Sequence, residues 1–186
     1  MLSISSDEFA ADADRFVDDL NQGVPIAVAL EAANDVNHHP AVVECGTRML
    51  RETGSVDMKQ LAQDAGLSRA SLYRYYPDKS KVEAEVARIG IEGMMAASRH
   101  ARGVADKFRC SARYLVANPG EAAAIFPFAA MVSVSVLGAV VETITGDETC
   151  SPLIVGIAAM AATPGRLDGD EAVLLRYIDE CADTLR

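Results

Sequence analysis

Tryptophan is absent from this sequence, and its 186 residues hold only four cysteines and three histidines. Cys45, Cys110, Cys150 and Cys181 lie far apart, with no Cys-x-x-Cys and no His/Cys cluster, so no zinc site, other metal or cofactor is expected. Scattered thiols fit a reducing cytoplasm better than a disulfide framework. Positive charge is scarce as well: 17 Lys and Arg stand against 27 Asp and Glu, for a net charge of −10. Averaged over the chain, that charge opposes a polyanionic partner. The first residues, "MLSISSDEFAADADRF", lack the basic stretch and apolar run of a secretory signal, so none is expected. Long apolar runs are also missing, with one exception. Residues 122–141 are uncharged, a length sufficient to cross a bilayer. They are rich in alanine, contain Pro127, Ser133, Ser135 and Gly138, and have acidic flanks without Lys or Arg to orient them. A buried helix pair hinged near Pro127 is the expectation, not a membrane span.

What is present is helix. Half the residues are hydrophobic, enough for a sizeable core, and the apolar spacing is helical nearly throughout. No internal repeat or low-complexity tract occurs. Ser5 and Glu8 form a capping-box pattern that opens a first helix, with Phe9, Ala13, Phe16, Val17 and Leu20 on one face. Gly23 ends it and Pro25 opens a second. Pro40 starts a third, which Gly54 stops. Asp57 caps "MKQLAQDA", Gly66 makes a turn, and Ser68 caps "RASLYRYY". Pro77 and Asp78 precede a long helix with Val82, Val86, Ile89, Gly93 and Ala97 as its apolar stripe. Further helices are expected near 105–117, in two pieces across 120–145, near 151–162, and over 168–185. The last carries Val173, Leu174, Tyr177, Ile178 and Cys181 on one side. The fold class is all-α. The expected organisation is an acidic helical extension (1–39), a helix-turn-helix unit (40–86) and a helical regulatory and dimerisation body (87–186).

The charge is uneven along these parts. Residues 1–40 carry −7, residues 41–88 carry +1, and residues 89–186 carry −4. The overall acidity therefore lies outside the segment "LSRASLYRYYPDK", which places Arg69, Arg74, Lys79 and three tyrosines within thirteen residues. Two short helices joined by a turn at Gly66 form a helix-turn-helix candidate. Its second helix would enter a major groove with Arg69, Ala70 and Ser71 at the base edges. Arginine donates two hydrogen bonds to guanine, and the alanine methyl meets the thymine methyl. Ser68 allows close approach, Tyr73 and Tyr75 carry hydroxyls that reach phosphates, and Arg74 and Lys79 add positive charge. Leu72 and Tyr76 point back to the small core.

"LAQDAGLSRASLYRYYPDKSKV" resembles the DNA-binding domain of the TetR family of bacterial transcriptional regulators. The likeness rests on Ala65-Gly66 at the turn, Ser68 before the recognition helix, Ser71-Leu72-Tyr73 within it, the pair Tyr75-Tyr76, and Lys79 after a short loop. It covers about residues 41–86. Tyr76 replaces the usual Phe, Val82 stands where Leu is common, and the linker Gly54-Ser55-Val56-Asp57 is short. Those departures blur which residues of the preceding helix, Lys59 or Gln60, reach the DNA backbone. The resemblance implies a homodimeric repressor on a palindromic double-stranded operator, often released by a small molecule. Lys59, Ser68, Arg69, Ala70, Ser71, Tyr73, Arg74, Tyr75 and Lys79 are the expected DNA-binding set.

The remainder says less. Met94, Met95, Tyr114, Phe126, Phe128 and Met131 are candidates to line a cavity for a small apolar effector, although ordinary core explains each singly. Arg99, His100 and Arg102 read as a solvated face. The acidic extension either screens the DNA face or, more simply, packs its apolar side on the body. Two rival functions remain. A TetR-like fold can serve as an architectural or adaptor DNA-binding protein. "EAANDVNHHP" also resembles the His-His-Pro segment of pterin-carbinolamine dehydratases, but that chemistry needs a further histidine downstream, and the only other one is His100. No enzymatic activity is expected.

Overall fold

The computed structural model describes residues 16–26, 28–30, 39–163 and 168–185. The expected Ser5–Glu8 capping box lies outside them. Every regular element among the described residues is helical, and no helix there is long and apolar enough to cross a membrane. Residues 16–21 form a helical turn and a half that Gly23 ends, and a second helical stretch begins at Ile26. Nine helices follow: α1 (Pro40–Thr53), α2 (Met58–Asp64), α3 (Arg69–Tyr75), α4 (Lys79–Ser98), α5 (Gly103–Ala117), α6 (Pro119–Met131), α7 (Val134–Thr145), α8 (Ser151–Ala161) and α9 (Asp168–Thr184). A short 3-10 turn, Glu148–Cys150, leads into α8.

Local chemistry sets most boundaries. The Asp57 carboxylate accepts from the Lys59 and Gln60 amides and opens α2. Ser68 accepts from the Ser71 amide and opens α3, and Asp78 accepts from the Ser80 amide and opens α4. Gly66 adopts φ +68°, the left-handed geometry that turns α2 toward α3.

The expected hinge at Pro127 is displaced. α6 runs through Pro127 to Met131, and the break falls at Val132-Ser133. Proline there removes one amide donor and crowds the carbonyl four residues back. Packing of α6 against α1, α4 and α8 offsets that cost. Ser133 supplies what Pro127 does not, a side-chain cap that accepts from the Val136 amide and starts α7.

Two apolar stripes also differ from expectation. α4 is buried almost all round from Val82 to Ile91, because α1, α5, α6 and α7 all pack on it. Its polar residues Glu83, Glu85 and Arg88 are buried too, and Ala97, at the end of the expected stripe, is exposed. Arg88 meets the carboxylates of Glu85 and Glu92 on its own helix, so its buried charge is compensated. On α9 the stripe splits: Leu174, Ile178 and Ala182 turn inward, whereas Val173 and Tyr177 are exposed. Arg109 and Arg113 of α5 hold the rim of α9 through Asp179, with Arg109 also meeting Asp183.

α1 belongs with α2 and α3 in sequence, yet it lies directly on α6. A Cβ added at Gly120 would come within 2.3 Å of the Thr47 carbonyl oxygen. Helix α4 continues without interruption across residues 86 and 87, the expected limit of the helix-turn-helix unit.

Candidate nucleic-acid interface

α3 is seven residues long and two-faced. Leu72 is fully buried and Tyr76, its C-cap, nearly so, which fixes the helix on the small core with Leu61, Ala62 and Val82. The opposite face is open. Arg69, Ala70 and Arg74 are exposed, and Tyr73 retains 47% of its surface. Ser68, Lys59 and Lys79 are exposed beside them, while Ser71 and Tyr75 are half-buried. Of the nine expected DNA-facing residues, six lie on α3, Ser68 is its N-cap, Lys59 stands in the first turn of α2, and Lys79 is the first residue of α4.

The side chains are not equally available. The hydroxyls of Ser68 and Ser71 lie 2.9 Å apart, so both are engaged at the N-terminus of α3. The Arg74 guanidinium donates to the Tyr75 hydroxyl at 2.6 Å and sits 4.7 Å from the centroid of that ring. Arg74 is therefore oriented by its neighbour along the helix side. Lys79 lies 3.6 Å from Glu83 one turn on. Arg69, in the first turn, projects toward solvent near Asp57. That carboxyl is held below the usual carboxylate range, first by the Gln60 and Lys59 amides and then by the Lys59 and Arg69 charges.

Behind the open face, Tyr76 makes a polar contact that sequence reasoning missed. Burial pushes its hydroxyl up to about 12, the Glu85 charge adds to this, and a hydrogen bond from the His39 backbone together with Arg88 opposes it. Residue type alone marks Tyr76 as a core aromatic; only the fold brings residue 39 to it.

The six candidate effector residues are dispersed. Met94 and Phe128 are buried core, and Met95, Tyr114 and Met131 pack against that core partly exposed. Phe126 is 60% exposed. The Tyr114 hydroxyl donates to Glu121 at 2.6 Å. Phe128 stacks on Phe16 of the N-terminal segment, with centroids 6.1 Å apart. Of the three histidines, His39 stands at the N-cap of α1, His100 follows the C-terminal end of α4, and His38 lies outside the described residues.

No family model matches this chain, and no curated protein matches it. Among solved structures it is similar to the crystal structure of a TetR transcriptional regulator from Rhodococcus sp. RHA1. The two share 19% identity with a TM-score of 0.50, over 79% of this chain and 92% of that one. The chain has the TetR-like fold.

Proposed function

We propose that the protein is a sequence-specific, DNA-binding transcriptional regulator. The observation that carries this reading is α3 itself: a capped helix anchored by Leu72 and Tyr76 that offers Arg69, Ala70 and Tyr73 to solvent. A helix so held fits a major groove, with Arg69 at a guanine, Ala70 at a thymine methyl, and Tyr73, Arg74 and Lys79 at phosphates. Only the docking face need be positive, so the acidity of the rest of the chain does not oppose it.

The reading extends to a homodimer that represses from a palindromic operator and is released by a small ligand, as the family resemblance implies. For the dimer there is support in the body. Met160 of α8 and Val173 and Tyr177 of α9 are large apolar side chains left exposed, and Gly156 and Ala159 add a small-residue surface to α8. Two copies joined there would present two α3 helices to half-sites about 34 Å apart.

Selection of bound sequences from random double-stranded DNA tests the reading. Recovery of one palindromic site supports it, and absence of any enriched sequence refutes it. A genomic binding map separates a regulator, with a few promoter-proximal palindromes, from an architectural protein with many dispersed sites. Tyr177→Glu is expected to shift the sedimentation of the full chain to the monomer. An unchanged dimer would place the interface elsewhere.

A further inference from the structure

α3 carries two arginines in different states. Arg69, in the first turn, makes no hydrogen bond and no ion pair among the described residues. Arg74, in the last turn, is held. One of its terminal nitrogens donates to the Tyr75 hydroxyl at 2.6 Å, and its guanidinium carbon lies 4.7 Å from the centroid of the same ring. Together the two contacts fix the reach and the tilt of the guanidinium. The platform under it is stiff, because Tyr75 is half-buried and packs against the core beside the buried Tyr76. The chemistry of the partner decides what this does. Elsewhere among the described residues, arginines with a side-chain partner are held by carboxylates: Arg48 by Asp64, Arg88 by Glu85 and Glu92, and Arg109 and Arg113 by Asp179. A carboxylate orients a guanidinium but compensates its charge. Tyrosine orients it and leaves the positive charge whole, with further N–H groups available to an anion.

We propose that Tyr75 is a positioning residue for DNA recognition: it presets the Arg74 guanidinium for a phosphate oxygen and is not itself a phosphate contact. This inference deepens the DNA-binding reading above and rests on it. The sequence pattern points the Tyr75 hydroxyl at a phosphate, but in the structure its oxygen accepts from Arg74. A long, flexible side chain loses rotamer freedom when it grips a ligand, and that loss weakens binding by about two- to tenfold for each chain immobilised. On Arg74 the loss falls on folding, not on DNA binding, because the tyrosine has already ordered the guanidinium. Phosphate contacts set the register of a protein on the duplex, and base contacts read its sequence. The preset Arg74 at one end of α3 suits the first task, and the unpartnered Arg69 at the other end suits the second.

The experiment uses the full chain and the double-stranded DNA that the wild type selects from a random pool, titrated at several salt concentrations. Tyr75→Phe keeps the ring and its packing and removes only the hydroxyl, which guards against a folding defect. It is expected to weaken binding about threefold, and Tyr75→Leu, which removes the ring face as well, about tenfold. In an Arg74→Ala background neither change is expected to weaken binding further, because both act through that one side chain. Arg74→Ala is expected to lower the salt slope by about one, whereas Tyr75→Phe leaves the slope unchanged, since the charge is still present. Without DNA, nitrogen relaxation at Arg74 Nε is expected to show a more mobile side chain in Tyr75→Phe than in the wild type. Wild-type affinity in both Tyr75 variants overturns the inference. So does a Tyr75→Phe loss that persists in the Arg74→Ala background, which would make the hydroxyl itself the contact, and so does an Arg74 side chain equally mobile with and without that hydroxyl. Failure of the wild type to select any DNA overturns the DNA-binding reading and this inference with it, and the wild-type selection alone shows which has failed.

Discussion

Gly120→Ala probes the close approach of α1 and α6. The added methyl carbon would stand 2.3 Å from the Thr47 carbonyl oxygen, 2.8 Å from its Cγ2 and 3.1 Å from its carbonyl carbon. Carbon atoms of this kind essentially never approach closer than 3.0 Å. The nearest obstacle is backbone, so rotation of the Thr47 side chain does not relieve it, and α1 and α6 must part by most of an ångström. Forced insertion of a methyl into a packed interface costs about 1–3 kcal/mol. Alanine's better helix propensity returns up to about 1 kcal/mol, and less in the first turn. The net loss is about 1–2 kcal/mol, a fall in Tm of about 2–8 °C for a domain of this size. Thermal unfolding followed by circular dichroism reads this directly. Thr47→Ala removes the Cγ2 contact but leaves the carbonyl, so it should not rescue Gly120→Ala. An unchanged or raised Tm, or full rescue by Thr47→Ala, would refute the close backbone approach.

Four further variants have expected outcomes. Arg69→Ala should weaken operator binding by about 1–3 kcal/mol and relax preference at one base position, whereas Lys79→Ala should weaken all sequences alike and lower the salt slope by about one, both read from titrations at several salt concentrations. Ser68→Ala removes the oxygen that accepts the Ser71 amide and should cost about 1 kcal/mol in denaturant unfolding; no loss would show that the cap is dispensable. Burial raises the Glu121 carboxyl above its ordinary value against the opposing bond from Tyr114, so its protonated form is the one folding favours. That contribution is complete below the ordinary carboxylate value and is lost as pH rises through the raised one. Glu121→Gln, which keeps an acceptor for Tyr114, should therefore raise Tm at pH 8 more than at pH 4, and an equal effect at both would contradict the assignment.

Much of the candidate site is legible because its determinants are close together in sequence. Ser68 reaches the amide of Ser71, Asp57 those of Lys59 and Gln60, and Asp78 that of Ser80, all within three residues. The alternation of buried Leu72 and Tyr76 with exposed Arg69 and Tyr73 follows from helical spacing once the caps fix the ends. The body was harder to read. Its apolar positions are so abundant that spacing alone does not tell inward from outward, as the split of Leu174 and Ile178 from Val173 and Tyr177 on α9 shows. The same abundance made Phe126 and Phe128 look equivalent, although one is exposed and the other buried.

The sequence by itself determined an all-helical chain, the ends of its short helices, and a basic, aromatic helix-turn-helix face set in an acidic protein. These follow from short-range hydrogen bonds, backbone restrictions and periodicity, which need no knowledge of neighbours. Tertiary structure alone decided that α6 continues through Pro127, that Arg88 is buried between two glutamates, and that Phe16 lies on Phe128. Each of these depends on which helices surround a residue, and the stacking of Phe16 on Phe128 joins positions more than a hundred residues apart. Local rules are silent about such pairs, because their energy exists only once the chain has closed on itself.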